Sequence, residues 1–364
     1  MDLADPRVDA CIAACEAGLK RLLRTSRAEV FLYAANGHGA WEATIANLLA
    51  PGQAVLVAGT GHFSDSWALQ AQAMGARVVG TPYVDGRPID PAAVEQVLRD
   101  DTAREIVAVF VVHTDTASGV TNDLSAIRDA IDRAGHTALF VVDVVASLAA
   151  APFDMDGLRI NVAVGASQKG LMVPPGLSFV AADDQAQRVA QSNPHPRFYW
   201  DWSRRRSELS YRKFCGTPPQ SLLMGLEAAL QLLFLEGVDA VLARHRRVAD
   251  AVHAAVACWA QSPGLSFFAI EPASRSVSVT TIRVGPGIDP DALRLVARER
   301  FQVAIAGGLG ALTGQAFRIG HLGDMNPAMI LGCLAGVEAA MLHQGIAFGQ
   351  GGTARAVAVF GGRG

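Results

Sequence analysis

Residues 139–153 read LFVVDVVASLAAAPF and residues 162–180 read VAVGASQKGLMVPPGLSFV. Each begins with an apolar run of strand length that carries no polar alternation, the pattern of a strand buried on both faces of a parallel sheet. The first run ends on Asp143, and the second is followed, after Ala166-Ser167-Gln168, by Lys169 and Gly170. Adjacent strands would place this carboxylate and this amine together beyond the strand ends, where open α/β sheets bind their ligands.

The same rhythm extends to both sides. An amphipathic helix is expected over 9–23, where Cys11, Ile12, Cys15, Leu19, Leu22 and Leu23 recur at helical spacing. Strands are expected over 30–33, 54–58, 77–79, 106–112, 139–142, 162–164 and 177–180, with helices between them over 39–49, 66–74, 91–99 and 123–134. Alternating strands and helices predict an α/β large domain, a mainly parallel sheet between helices. The segment 192–219, rich in Arg, Tyr, Trp and Pro, reads as loop with one short helix. Long helices follow over 219–236 and 241–259. Strands near 266–270, 277–283 and 316–323, with helices over 290–300 and 326–343, make a smaller α+β C-terminal domain. The expected division is residues 1–240 and 241–364. The glycine-rich tail from Gly349 reads as a mobile segment or one that crosses to a partner chain.

Composition narrows the function classes. With 364 residues, 51% hydrophobic and 18% charged, the chain resembles a well-packed enzyme, and its net charge of −3 gives no general attraction to nucleic acid or acidic membranes. The basic runs at Arg204-Arg205-Arg206 and 244–247 read as a solvated helix face or a subunit rim. No apolar run reaches the roughly 20 residues of a membrane span. The opening MDLADPRVDA is acidic where a signal peptide is basic, so a cytoplasmic location is expected. Five cysteines without CxxC spacing argue against a disulfide framework or a zinc site, and no HxH or HExxH spacing suggests a metal.

Lys169, at a strand end among apolar and glycine neighbours, has the setting of a lysine with a depressed pKa that forms a Schiff base. Asp143 suits a heterocyclic nitrogen that must stay protonated. Together they are what pyridoxal 5'-phosphate requires. The plainer alternatives are a turn lysine and a helix N-cap aspartate. Asn36-Gly37-His38-Gly39 lies between a strand and a helix and offers backbone amides to a phosphate. Phe63 is placed to stack on a flat ring or to pack in the core, and Thr116 to hydrogen-bond a ring oxygen. Arg318, inside the apolar strand AFRIGHLG, calls for an anion: a substrate carboxylate or an internal ion pair. Gly307-Gly308-Leu309-Gly310 lacks the spacing of a dinucleotide loop.

The stretches GAWEATIANLL, HTDTASGVTND, VVDVVASL, GASQKGLMVPPGL, YWDW, GTPP, EGVDAVLARH and FRIGHLGDMN resemble the class V aminotransferases of fold type I. The resemblance is strongest to their serine–glyoxylate and alanine–glyoxylate (serine–pyruvate) branch. It implies a homodimer with shared active sites, small amino acid and 2-oxo acid substrates, and pyridoxal 5'-phosphate held as an imine by Lys169 and paired through its ring nitrogen with Asp143. It further implies phosphate contacts from Gly37, His38 and Gln168, with Thr217 donated by the other subunit. Phe63 would stack on the ring, Val145 would lie beneath it, Thr116 would meet the ring oxygen, and Arg318 would bind the substrate carboxylate. Asn36 stands where serine is usual and keeps the hydrogen-bonding capacity. The chain starts after the point where such relatives carry a Gly-Pro-rich N-terminal arm, so closure over substrate and dimer stability are expected to differ. A lyase or another transaminase on the same scaffold, or a pyridoxal-phosphate-binding protein without catalysis, are the competing expectations.

Overall fold

The computed structural model describes residues 5–362. Residues 1–4 and 363–364, the outer ends of the two expected domains, lie outside the described residues. In chain order the large unit runs α1 (Pro6–Leu23), β1 (Glu29–Tyr33), α2 (Gly37–Leu48), β2 (Ala54–Val57), α3 (His62–Ala73), β3 (Arg77–Gly80), α4 (Pro91–Asp100) and β4 (Ile106–Val112). It continues with β5 (Thr114–Asp115), β6 (Val120–Thr121), α5 (Leu124–Arg133), β7 (Leu139–Asp143), β8 (Val162–Ala166), β9 (Ser178–Ala182), α6 (Asp184–Ser192), α7 (Ser210–Lys213) and α8 (Gln220–Glu236). After α9 (Val238–Trp259) the smaller unit comprises β10 (Leu265–Phe267), β11 (Val279–Val284), α10 (Pro290–Phe301), β12 (Ala306–Gly307), β13 (Ala316–Gly320), α11 (Pro327–His343) and α12 (Gly352–Gly361).

The central sheet has the order β1-β9-β8-β7-β4-β2-β3. Only β9 runs against the others, pairing antiparallel with both β1 and β8. Its two faces bury different sets of side chains. Val109, Val111, Phe140, Val142 and Ala163 join one core with residues of α1, α4, α5 and α8. Ala108, Phe110, Val141, Val162 and Val164 join the other with residues of α2, α3 and α6. Burial on both faces explains the uninterrupted apolar strand sequences.

Seven helices start on an Asp or Asn whose side chain accepts an amide of the first turn: Asp5, Asn36, Asp90, Asp123, Asp183, Asp289 and Asn326. At Asp5, Asp90, Asp289 and Asn326 the next residue is proline, whose fixed φ suits the first helical position. No single helix among the described residues is long and apolar enough to cross a membrane.

The smaller unit is an antiparallel sheet of order β10-β11-β13-β12 with α9, α10, α11 and α12 contributing to its core. Two expectations for it need correction. The tail from Gly349 is a helix, α12, packed on α9. Trp259 Nε1 donates to Glu338 Oε1 at 2.8 Å, and the same carboxylate accepts from the Thr353 amide at 2.9 Å and hydroxyl at 2.8 Å, fastening α12 to α9 and α11. Strand β10 stops at Phe267, because the Ile270 amide turns away to Gly86 O of the large unit at 2.9 Å.

Histidines whose rings lie inside the protein link this packing to pH. Burial pushes His113 and His253 down to about 4 and His321 to about 3, so each folds neutral. A depressed histidine contributes stability that is present above its unfolded value near 6.5 and is lost as pH falls toward the folded value. Between pH 6.5 and 4 each therefore costs about 3 kcal/mol, whereas Asp143, raised to about 7, returns about 3 kcal/mol over the same fall. With His38 and His245 also lowered by burial, the histidines outnumber the raised carboxylates Asp143 and Asp115, and the cofactor-free protein is expected to lose stability on acidification. Urea unfolding at pH 7 and pH 4.5 checks this; equal midpoints would contradict it.

Candidate active site

The register of the sheet assembles the site. Val112 pairs with Asp143 and Asp143 with Val164, so β4 and β7 end level while β8 runs two residues further, to Ala166. Beyond them is a cavity of about 180 Å³. It is lined by Asn36, Gly37, His38, Phe63, Thr116, Asp143, Val145, Gln168 and Lys169, all singled out from sequence, and also by Trp41, Val112, Thr114 and Ala146.

Asp143 is 4% exposed. Its Oδ1 accepts the Val145 amide at 2.6 Å and its Oδ2 accepts Trp41 Nε1 at 2.8 Å. The bond to Val145 is the local turn contact of the N-cap alternative, but the bond to Trp41 and the cavity show a second use. Burial raises its pKa to about 7, while the two N–H donors oppose the rise; nearby Asp115 adds to it and Lys169 opposes it. A carboxylate this reluctant to ionise alone is stabilised by any cation placed against it.

Lys169 follows β8 by three residues and is half-buried. Burial lowers its pKa and the charge of Arg318 lowers it further, against Asp143. The amine is thereby brought toward the neutral, nucleophilic form.

At the other end of the cavity α2 begins. Asn36 Oδ1 caps the Gly39 amide at 3.2 Å. The earlier amides of the turn have no acceptor within the helix and suit an anion. A Cβ on Gly37 would stand 3.3 Å from Val145 Cγ2, so glycine keeps this cradle open against the cavity floor. Burial and the charge of His62 push the His38 imidazole toward neutral. Gln168 Oε1 is buried without a partner, an amide left for a ligand to satisfy.

Phe63 is the second residue of α3, and its amide donates to Asp115 Oδ2 at 2.8 Å. Asp115 is fully buried and also accepts the amides of Ala117 and Ser118 at 2.8 Å and 3.0 Å. It thus fixes the aromatic ring and the turn carrying Thr116 to each other. From the smaller unit, Arg318 Nη1 donates to Thr116 O at 2.7 Å and its Nε to Gly307 O at 2.6 Å. Among the described residues no carboxylate lies within ion-pairing distance of this guanidinium, which removes the internal salt bridge as its explanation. The glycine stretch 307–310 runs from β12 into a turn beside His62, not into a helix N-terminus.

Thr217 stands apart. It is exposed in the segment before α8 and does not line the cavity of its own chain. Trp41 and Asp115 were missed: a tryptophan inside a helix reads as core, and Asp115 reads as one polar residue of a turn. The visible signals were an indole one turn beyond a glycine cradle and an aspartate two residues before an Ala-Ser-Gly turn.

Anion cradle, floor, aromatic wall, buried carboxylate and amine fit the phosphate, ring and aldehyde of pyridoxal 5'-phosphate, and the orphaned Gln168 oxygen and the open Gly37 cradle are structural marks of that fit. Comparison with known proteins agrees. The model of the family "Aminotransferase class-V" matches residues 6–318. The L-aspartate–glyoxylate aminotransferase of Paracoccus denitrificans is 39% identical over 90% of this chain and 82% of its own length. The serine–glyoxylate aminotransferase of Methylorubrum extorquens is 38% identical with the same coverage. The crystal structure of ureidoglycine–glyoxylate aminotransferase from Bacillus subtilis superposes with a TM-score of 0.90 at 26% identity, covering 100% of this chain and 92% of that one. The chain belongs to the class V aminotransferases, with the fold type I architecture and the pyridoxal phosphate dependence that membership implies.

Proposed function

We propose that the protein uses pyridoxal 5'-phosphate, bound in the cavity beyond β4, β7 and β8, to move an amino group from a small uncharged amino acid, serine or alanine, to glyoxylate or pyruvate. The guanidinium of Arg318, near enough to Lys169 to lower its pKa and without a carboxylate partner among the described residues, carries this reading. It supplies one carboxylate site. Among the described residues the basic side chains lining the cavity are Lys169 and His38, and His38 is pushed toward neutral; Arg318 does not line it but reaches Thr116, which does, and the nearby Arg294 is paired with Asp291, so no second unpaired cation recognises the side-chain carboxylate of aspartate.

The cofactor supplies an aldehyde that captures amines and a ring that delocalises the electron pair left at substrate Cα. The chain's residues do the rest. Gly37, His38 and Gln168 would hold the phosphate, Phe63 and Val145 would hold the ring, and Thr116 would offer its hydroxyl to it. Asp143 holds the proton on the ring nitrogen. Lys169 Nζ would hold the cofactor's aldehyde and, with its amine free, would serve as the general base for the substrate Cα proton. Arg318 orients the substrate through its carboxylate so that the Cα–H bond faces Lys169. The exposed position of Thr217 supports a homodimer in which a second copy places it at the phosphate.

Purified protein loaded with pyridoxal phosphate and mixed with single amino donors tests this reading through the visible band of the lysine-bound cofactor. Serine or alanine is expected to bleach it at least about tenfold faster than aspartate, the discrimination of one unpaired charge. Glyoxylate or pyruvate should then restore it. Faster bleaching by aspartate would overturn the donor assignment, and a band unmoved by every donor would favour binding without catalysis.

A further inference from the structure

The indole of Trp41 is held more firmly than core packing requires. It is 2% exposed, stacked on Trp67 at 5.2 Å between centroids with 11° between planes, and Trp67 stacks in turn on Phe110 at 4.3 Å. His38 tilts against it at 4.6 Å and Phe63 meets it edge-on at 6.4 Å. With its plane fixed, Nε1–H points at Asp143 Oδ2, 2.8 Å away, and is one of only two donors that carboxylate has among the described residues.

Trp41 sits on α2, one turn beyond the glycine cradle, so one rigid helix touches both ends of the cavity. We infer that Trp41 is a positioning residue that keeps the Asp143 carboxylate ionised and aimed at the ring nitrogen, coupling the phosphate end of the site to the carboxylate end. The inference rests on the reading of this cavity as the pyridoxal phosphate site. A buried carboxylate that loses one of two charge-assisted hydrogen bonds shifts toward its protonated form. The charged and titratable groups around it are Asp115 from the β5 turn, Lys169 after β8, and His38 beside Trp41 on α2. His113, at the end of β4, faces it through the backbone, donating its amide to Asp143 O at 2.9 Å. Asp115 alone opposes ionisation by its charge, and its three amide contacts do not involve Trp41.

The test is capture of pyridoxal phosphate by cofactor-free protein across pH, read from the visible band and from dissociation constants. Trp41→Phe is expected to weaken capture about tenfold at pH 7 and to move the acid-side midpoint of capture up by about one pH unit. Trp67→Phe, which keeps an aromatic ring stacked on the indole and spares the Trp41 N–H, should leave the midpoint in place. In an Asp143→Asn background Trp41→Phe should no longer move it, which separates the effect from titration of Lys169, His38 or the phosphate. Replacement of Trp41 by β-(3-benzothienyl)alanine keeps shape and stacking and removes only the N–H, so it guards against a folding defect in Trp41→Phe. Wild-type protein that captures no pyridoxal phosphate would overturn the reading of the cavity. Wild-type capture with an unmoved midpoint in both the phenylalanine and the benzothienyl variants would overturn the role of Trp41 and leave the cavity reading standing.

Discussion

Lys169→Ala is expected to abolish the visible band that forms when pyridoxal phosphate is added and to lower transamination by more than about a thousandfold. The size follows from two losses at one atom. Nζ is the anchor for the aldehyde and also the base for the Cα proton, and no other lysine lines the cavity. The chain has only two further lysines. Lys213 Nζ is committed to both oxygens of Glu16 at 2.7 Å, and Lys20 lies on α1 on the far side of the large unit's core. Added methylamine should recover part of the turnover in the variant by supplying a free base. Steady-state rates with the preferred donor decide the matter; a variant retaining more than a few per cent of activity would show that Lys169 does neither job.

Asp143→Asn carries the second-largest expected effect, a fall in turnover of about a hundred- to a thousandfold with much milder loss of cofactor binding. The amide keeps the shape of the carboxylate and still accepts one of the two N–H donors, Trp41 or Val145, but it carries no charge to hold a proton on the ring nitrogen. The pH dependence separates charge from shape. In cofactor-free protein the Asp143 pKa stands at about 7, so the ionised form that pairs with a ring cation is depleted as pH falls below that value. Wild-type capture of pyridoxal phosphate should weaken through this range, whereas the Asn variant should lack that component. Parallel pH profiles would place the effect elsewhere.

Both residues were legible in the sequence for a physical reason. Strands buried on two faces leave no room for polar side chains, so Asp143 at the end of one apolar run and Lys169 just after the next mark where the chain leaves the sheet. The same two-sided burial made strand positions readable to within a residue or two, as β4 illustrates over 106–112. What escaped depended on contacts between distant segments. The direction of the Trp41 N–H is set by Trp67 and Phe110, and Asp115 becomes a clamp only when the start of α3 arrives above it. Helix α12 was hidden by its glycines, which lower helix propensity yet let the chain approach Trp259 and Cys258 closely. The short polar helix α6 was missed because it buries only Ala186, Gln187 and Ala190. Thr217 was singled out by resemblance alone, and its own chain gives it no contact with the cavity.

The account depends on which amine meets the cofactor, and the scarcity of lysine makes that directly measurable. Protein incubated with pyridoxal phosphate and reduced with borohydride retains a stable pyridoxyl group on whichever amine formed the imine, and peptide mass spectrometry locates it. The prediction is one pyridoxyl group per chain, on Lys169. A group on Lys20 or Lys213, or none at all under conditions where a visible band had formed, would contradict it.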